Sequence, residues 1–127
     1  MGKNIFIVED NFLYTYVLEK GISEYGNFNI STYTTGEACL QNLQDNPDLI
    51  ILDYNLDDEM NGYQVFKQIH KQKPNVPVII LSSQEDIKVV ADLLNEGVFD
   101  YIQKKDKEKA MIKLKDSILK ALKISAK

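Results

Sequence analysis

The chain has 127 residues, 44% hydrophobic and 27% charged, with a formal net charge of −4 at pH 7. That length suits one domain able to bury roughly two-thirds of its unfolded surface, and no apolar run approaches the ~20 residues of a membrane span. With no signal peptide at the start, a single cysteine and no arginine, the composition argues for a reducing, cytoplasmic setting and against membrane or direct nucleic-acid contact, since phosphate and guanine are gripped bidentately by arginine. The charge is uneven: nine lysines against three acids from Gln103 to Lys127 give +6, which leaves −10 on the first 102 residues. The basic tail reads as the solvated face of a helix, with a partner or nucleic-acid patch as the minority reading.

Asn4-Ile5-Phe6-Ile7-Val8 is a first buried strand, ended by Glu9-Asp10-Asn11. Those polar residues cap a helix that runs to about Gly26 with Leu13, Tyr16 and Val17 inward. Phe28 to Tyr33, with Phe28 and Ile30 alternating with polar neighbours, is a strand nearer the edge. Thr34-Thr35-Gly36-Glu37 reads as a capping box opening a helix through Ala38, Leu40 and Leu43, which Asn46-Pro47 stops. Cys39 in this segment is a small core residue, because no histidine lies near it and His70 stands among lysines. Leu49-Ile50-Ile51-Leu52 lies between Asp48 and Asp53, too short an apolar run for a helix and right for a strand buried on both faces.

A polar loop from Asn55 to Gly62 leads to a helix with Val65, Phe66 and Ile69 inward, closed by Pro74. Val76 to Leu81 is another apolar strand, with Pro77 tolerable near its start. The polar run 82–86 caps a helix with Ile87, Val90, Leu93 and Leu94 inward, and Gly97 is a left-handed stop. Val98 to Ile102 is a fifth strand, ended by Lys104-Lys105. The last helix, from about Asp106 to Leu122, carries Met111, Leu114, Ile118, Leu119 and Leu122 on one face as core.

Strands alternating with helices imply an α/β fold, a parallel sheet with helices on both faces. Right-handed crossovers with one reversal of winding favour the flavodoxin-like three-layer (βα)5 arrangement, with strand order 2-1-3-4-5. The first and third strands are then neighbours at the switch point, where open α/β sheets bind ligands beyond the carboxyl ends of their strands. At those ends stand Glu9 and Asp10, Asp53, Ser82 and Lys104. Singly, each has a structural reading as a helix cap, a turn residue or a solvated lysine. Together they put three carboxylates, a hydroxyl and an ammonium around one crevice. Clustered carboxylates stay ionised when a cation is supplied, and all-oxygen ligands with room for water suit Mg²⁺. The chemistry suggested is an aspartyl phosphate on Asp53, with Lys104 and Ser82 on phosphoryl oxygens.

On these residues, and on Gly97-Val98-Phe99-Asp100-Tyr101-Ile102-Gln103-Lys104, the chain resembles the receiver domains of response regulators, the CheY-like family, over essentially its whole length 1–127, with no output domain in it. The resemblance implies Asp53 as phosphoacceptor and Glu9, Asp10, Asp53 and the backbone carbonyl of Asn55 as the Mg²⁺ site. It further implies Lys104 as the phosphate-binding lysine, Ser82 as the switch hydroxyl and Tyr101 as the switch aromatic. The resemblance also implies that Asn55 and Gln84, two residues beyond Asp53 and Ser82, should flank the path of the water that hydrolyses the aspartyl phosphate. The implied function is two-component signal transduction: a sensor histidine kinase or histidine phosphotransfer protein supplies the phosphoryl group. The face of the fourth helix, fifth strand and fifth helix then engages an output domain or target, with a homodimer of that face possible through Asp92, Asp100 and the last helix. The protein is then not an enzyme in the ordinary sense, but a switch with self-phosphorylating and autodephosphorylating chemistry.

Three features depart from the family pattern. Lys105 replaces the usual proline after the lysine, so a trans bond is expected there. Asp57 replaces the proline four residues after the phosphoacceptor, and the loop to Gly62 is one residue longer. That loop also begins like an EF-hand, but Asp58 and Gln64 stand where Gly and Glu are needed. It begins like an aspartate-nucleophile phosphatase too, with Asn55 in place of the second Asp. A phosphorylation-independent interaction module is the alternative of another class; the intact set of five residues argues against it.

Overall fold

The apolar runs become strands, and their alternation sorts the core into two layers. In this computed structural model, which describes residues 2–56, 59–83 and 86–124, the strands are β1 (Asn4–Val8), β2 (Asn29–Tyr33), β3 (Leu49–Asp53), β4 (Val78–Ser82) and β5 (Asp100–Gln103). They pair in parallel in the order β2-β1-β3-β4-β5. Between them run α1 (Phe12–Ser23), α2 (Gly36–Gln41) with a 3-10 turn at Leu43–Asp45, α3 (Gly62–Gln72) and α4 (Ile87–Asn95), and α5 (Lys107–Ala121) follows β5. Successive strand side chains point to opposite faces. Phe6, Val8, Ile50, Leu52, Val78 and Ile80 therefore pack with Cys39, Val65, Phe66, Ile69 and Leu93 of α2, α3 and α4. Ile5, Ile7, Leu49, Ile51, Ile79 and Leu81 pack with Leu18 and Ile22 of α1 and with Leu114 and Ile118 of α5. The three-layer architecture and strand order are those expected.

Two helices turn a different face inward. Leu13, Tyr16 and Val17, expected inside, are 71%, 57% and 41% exposed, and α1 buries Leu18 and Ile22 with Tyr14 partly packed. Apolar residues surround the first turns of α1, so only the i, i+4, i+8 stripe of Tyr14, Leu18 and Ile22 meets the sheet. On α4, Ile87 and Leu94 are 84% and 45% exposed, and Val89 and Leu93 do the packing. Asp86 caps α4 by accepting from Lys88 and Val89 N–H, which leaves Ile87 as an outward first residue. Met111 is half-buried, while Leu114, Ile118, Leu119 and Leu122 are buried as expected.

The caps differ in detail. Thr35, not Thr34, caps α2 by accepting from Ala38 N–H, with no reciprocal glutamate. A capping box is formed by Asn61 and Gln64, opening α3. Helix α1 ends at Ser23, short of Gly26. Asn46 (φ 58°) and Gly97 (φ 108°) take the left-handed conformation where α2 with its 3-10 turn and α4 stop. No peptide bond among the described residues is cis, that between Lys104 and Lys105 included.

Candidate functional site

Register delivers the site. Val8 pairs with Leu52, so the next residues, Glu9 and Asp53, emerge side by side from β1 and β3. Asp53 pairs with Leu81 and Ser82 with Gln103, so Ser82 and Lys104 leave β4 and β5 at the same edge. The Lys104 N–H donates to the Ser82 carbonyl at 2.7 Å and the Tyr54 N–H to the Leu81 carbonyl at 2.8 Å, extending the ladder to the site. The loop after β3 closes against the same backbone: a Cβ on Gly62 would lie 2.5 Å from Tyr54 Cα and 2.6 Å from the Asp53 carbonyl oxygen. Only a residue without a side chain fits there.

Lys104 Nζ donates to Glu9 Oε1 at 2.8 Å and to Asp53 Oδ1 at 3.1 Å, and it lies 4.5 Å from the centre of the Tyr14 ring. Glu9, Asp53 and Ser82 are buried, Lys104 is half-buried, and Asp10 is exposed. Glu9 Oε2 also accepts the Asn11 N–H at 3.1 Å. Burial pushes the Glu9 carboxyl up to about 7, with Asp53 adding to the rise, while the hydrogen bonds from Lys104 and Asn11 pull the other way. For Lys104, burial lowers the ammonium's pKa, but the bond to Glu9 and the charges of Asp53 and Glu9 outweigh it and leave it raised.

One carboxylate oxygen from each of Glu9, Asp10 and Asp53 lies within 4.8 Å of the other two. An all-oxygen set with one exposed member suits a hard divalent cation that keeps some of its water. Asn55 donates its N–H to Asp53 Oδ1 at 3.0 Å, and its carboxamide reaches the Ser82-Ser83 turn. Tyr101 is half-buried, packed on the core layer under α4. The structure thus brings Glu9, Asp10, Asp53, Lys104, Asn55 and Ser82 to one edge and sets Tyr101 on β5 beside it. Gln84, Asp57 and Asp58 lie outside the described residues.

Sequence reading missed Tyr14, the contact of Asn11 with Glu9 and the contacts of Ser83 with Asn55. Tyr14 stands four residues before Leu18 on the stripe that α1 turns to the sheet, and that periodicity would have found it. The Asn11 contact follows from its place as the N-cap of α1. Nothing in sequence marks Ser83.

Carboxylates and a lysine gathered where a parallel sheet reverses its winding define a doubly wound α/β protein with its site at the topological switch point. The chain belongs to the response regulator receiver domain family, whose model matches residues 5–115, and so is a receiver domain of two-component response regulators. It is 37% identical over 105 residues to the transcriptional regulatory protein CssR of Bacillus subtilis (strain 168), covering 82% of this chain and 45% of the relative. It is 29% identical over 125 residues to a protein-glutamate methylesterase/protein-glutamine glutaminase of Clostridium acetobutylicum, covering 95% and 36%. The chain spans less than half the length of these curated relatives. The Mn²⁺-bound form of response regulator Rcp1 has the same fold, with TM-score 0.84, 20% identity and 98% and 97% of the two chains covered. No helix among the described residues is long and apolar enough to cross a membrane.

Proposed function

We propose that Asp53 takes a phosphoryl group from a phosphohistidine, presented by a sensor histidine kinase or a histidine phosphotransfer protein, and that the chain changes its surface in response. The observation that carries this reading is the meeting of the Lys104 ammonium with the buried Asp53 and Glu9 carboxylates at the sheet's carboxyl edge. The carboxylates of Glu9, Asp10 and Asp53, with the Asn55 backbone carbonyl, would hold Mg²⁺, which would neutralise phosphoryl charge. The oxygen donors present suit it, and the Mn²⁺-bound relative of the same fold supports a divalent cation.

Asp53 Oδ1 is already engaged by the Asn55 N–H and by Lys104, which leaves Oδ2 to attack phosphorus. An O–P bond forms as the P–N bond to the histidine breaks, and the imidazole leaves with the electron pair. The Lys104 ammonium turns from the carboxylates to a phosphoryl oxygen, and the Ser82 hydroxyl donates to another. Tyr101 moves inward into the space that Ser82 leaves, which remodels the face of α4, β5 and α5 for an output domain, a target or a second copy. Shifting such a switch from 1:99 to 99:1 takes about 5.5 kcal/mol of differential stabilisation. Hydrolysis of the aspartyl phosphate resets it, at a rate that Asn55 and Gln84 modulate.

Intact mass after incubation with acetyl phosphate tests the reading. A single phosphate adduct that needs Mg²⁺ and is absent in Asp53→Asn is expected. A folded wild type that gains no adduct overturns it.

A further inference from the structure

The Asn55 side chain is joined to the β4–α4 turn by three hydrogen bonds that converge on one atom. Its Oδ1 accepts from Ser83 N–H at 3.1 Å, from the Ser83 hydroxyl at 3.1 Å and from the Ser82 hydroxyl at 3.2 Å. The backbone N–H fixes this arrangement, because it can only donate, and the atom facing it must therefore be the carboxamide oxygen. Both hydroxyls that face that oxygen must then also donate to it. A hydroxyl has one proton. The Ser82 proton given to Asn55 is thus the one that a phosphoryl oxygen on Asp53 requires.

Building on the phosphoacceptor reading above, we infer that Asn55 is a positioning residue for Ser82. Its carboxamide holds the Ser82 hydroxyl in the unphosphorylated arrangement and competes with the phosphoryl group for it. Three donors on an oxygen with two lone pairs oversubscribe it, so the departure of Ser82 leaves Asn55 satisfied by Ser83. Release therefore leaves no acceptor of Asn55 unpaired, and Asn55 stays in place to recapture Ser82 when the phosphoryl group is lost. The same residue grips the Asp53 carboxylate through its N–H. Asn55 links the reacting group and the switch hydroxyl at its two ends.

The test is a double-mutant cycle read by titration calorimetry with beryllofluoride, a phosphoryl mimic, in Mg²⁺, on wild type, Asn55→Ala, Ser82→Ala and the double variant. Removing one neutral hydrogen bond from the unliganded state should tighten binding about fivefold in Asn55→Ala. In the Ser82→Ala background the same substitution should change nothing. Equal tightening in both backgrounds, or weaker binding in Asn55→Ala alone, overturns the role given to Asn55. Binding that is absent in wild type, or unaffected by Asp53→Asn, overturns the phosphoacceptor reading itself and this inference with it. Asn55 is exposed and Ser82 is buried, so thermal melts on all four proteins check that each keeps the fold.

Discussion

The two halves of the site are built differently. Glu9, Asp53 and Lys104 stand at the ends of paired strands, are closed off from water on one side by the core, and are joined by two ion pairs of 2.8 and 3.1 Å. Asn55, Gly62 and Ser83 lie in the turns after β3 and β4, where single hydrogen bonds and a close backbone approach take the place of a ladder. The strand half is placed by register, and a one-residue slip would send every one of its side chains to the wrong face. The loop half is placed by local contacts and can change partners. The strand half suits fixed chemistry, and the loop half suits a response to it.

Removing the ammonium is the hardest blow to the strand half. Lys104→Met leaves the Glu9 and Asp53 carboxylates together without their cation, and breaking a buried pair in this way costs roughly 3–5 kcal/mol. Lys104 keeps 19% exposure, so about 2–3 kcal/mol is expected in urea unfolding without divalent cation. Mg²⁺ should return more stability to this variant than to wild type. On the loop half, Gly62→Ala forces a methyl group against Tyr54 Cα and the Asp53 carbonyl. A cost of about 2 kcal/mol is expected, together with slower adduct formation from acetyl phosphate.

A buried group away from both halves provides a reference. Burial pushes the Cys39 thiol up from 9.0 to about 12. Because the folded value is the higher one, the contribution is fully present below pH 9 and is lost as pH rises from 9 towards 12. The slope reaches at most ~1.4 kcal/mol per pH unit. The difference in urea stability between wild type and Cys39→Ala across that range isolates it. At pH 8 a thiol reagent should modify Cys39 only as fast as the protein opens. The smallest effect belongs to Tyr14, whose ring faces Lys104. Tyr14→Leu should cost about 0.5–1 kcal/mol and Tyr14→Phe almost nothing, compared by urea midpoints at matched ionic strength.

The difference between the halves also governs what could be read from the residues alone. Glu9, Asp10, Asp53, Ser82 and Lys104 were legible because a short apolar run ending in a polar residue fixes both the strand and what hangs from its end. Fold class and strand order followed from the same alternation. The inward faces of α1 and α4 did not, because Phe12, Leu13, Tyr16 and Val17 give α1 apolar residues on several sides, and Ile87 precedes the stripe that packs. The second contact of Asn55 was hidden because a carboxamide's partner depends on how two loops approach each other, which no spacing in the chain encodes. Thr35 was passed over for Thr34 because two threonines in a row each satisfy half of a capping signature.

The bond between Lys104 and Glu9 spans 95 positions of the chain, and that between Lys104 and Asp53 spans 51. Contacts this distant form only at the expense of the intervening chain's closure entropy. In any state in which β1 and β3 are paired and β5 is not docked, the Glu9 and Asp53 carboxylates lie together with no ammonium between them. The arrival of the last strand therefore completes the site and relieves the repulsion in a single event. A nascent chain that has not yet delivered Lys104 carries an acidic, incomplete edge.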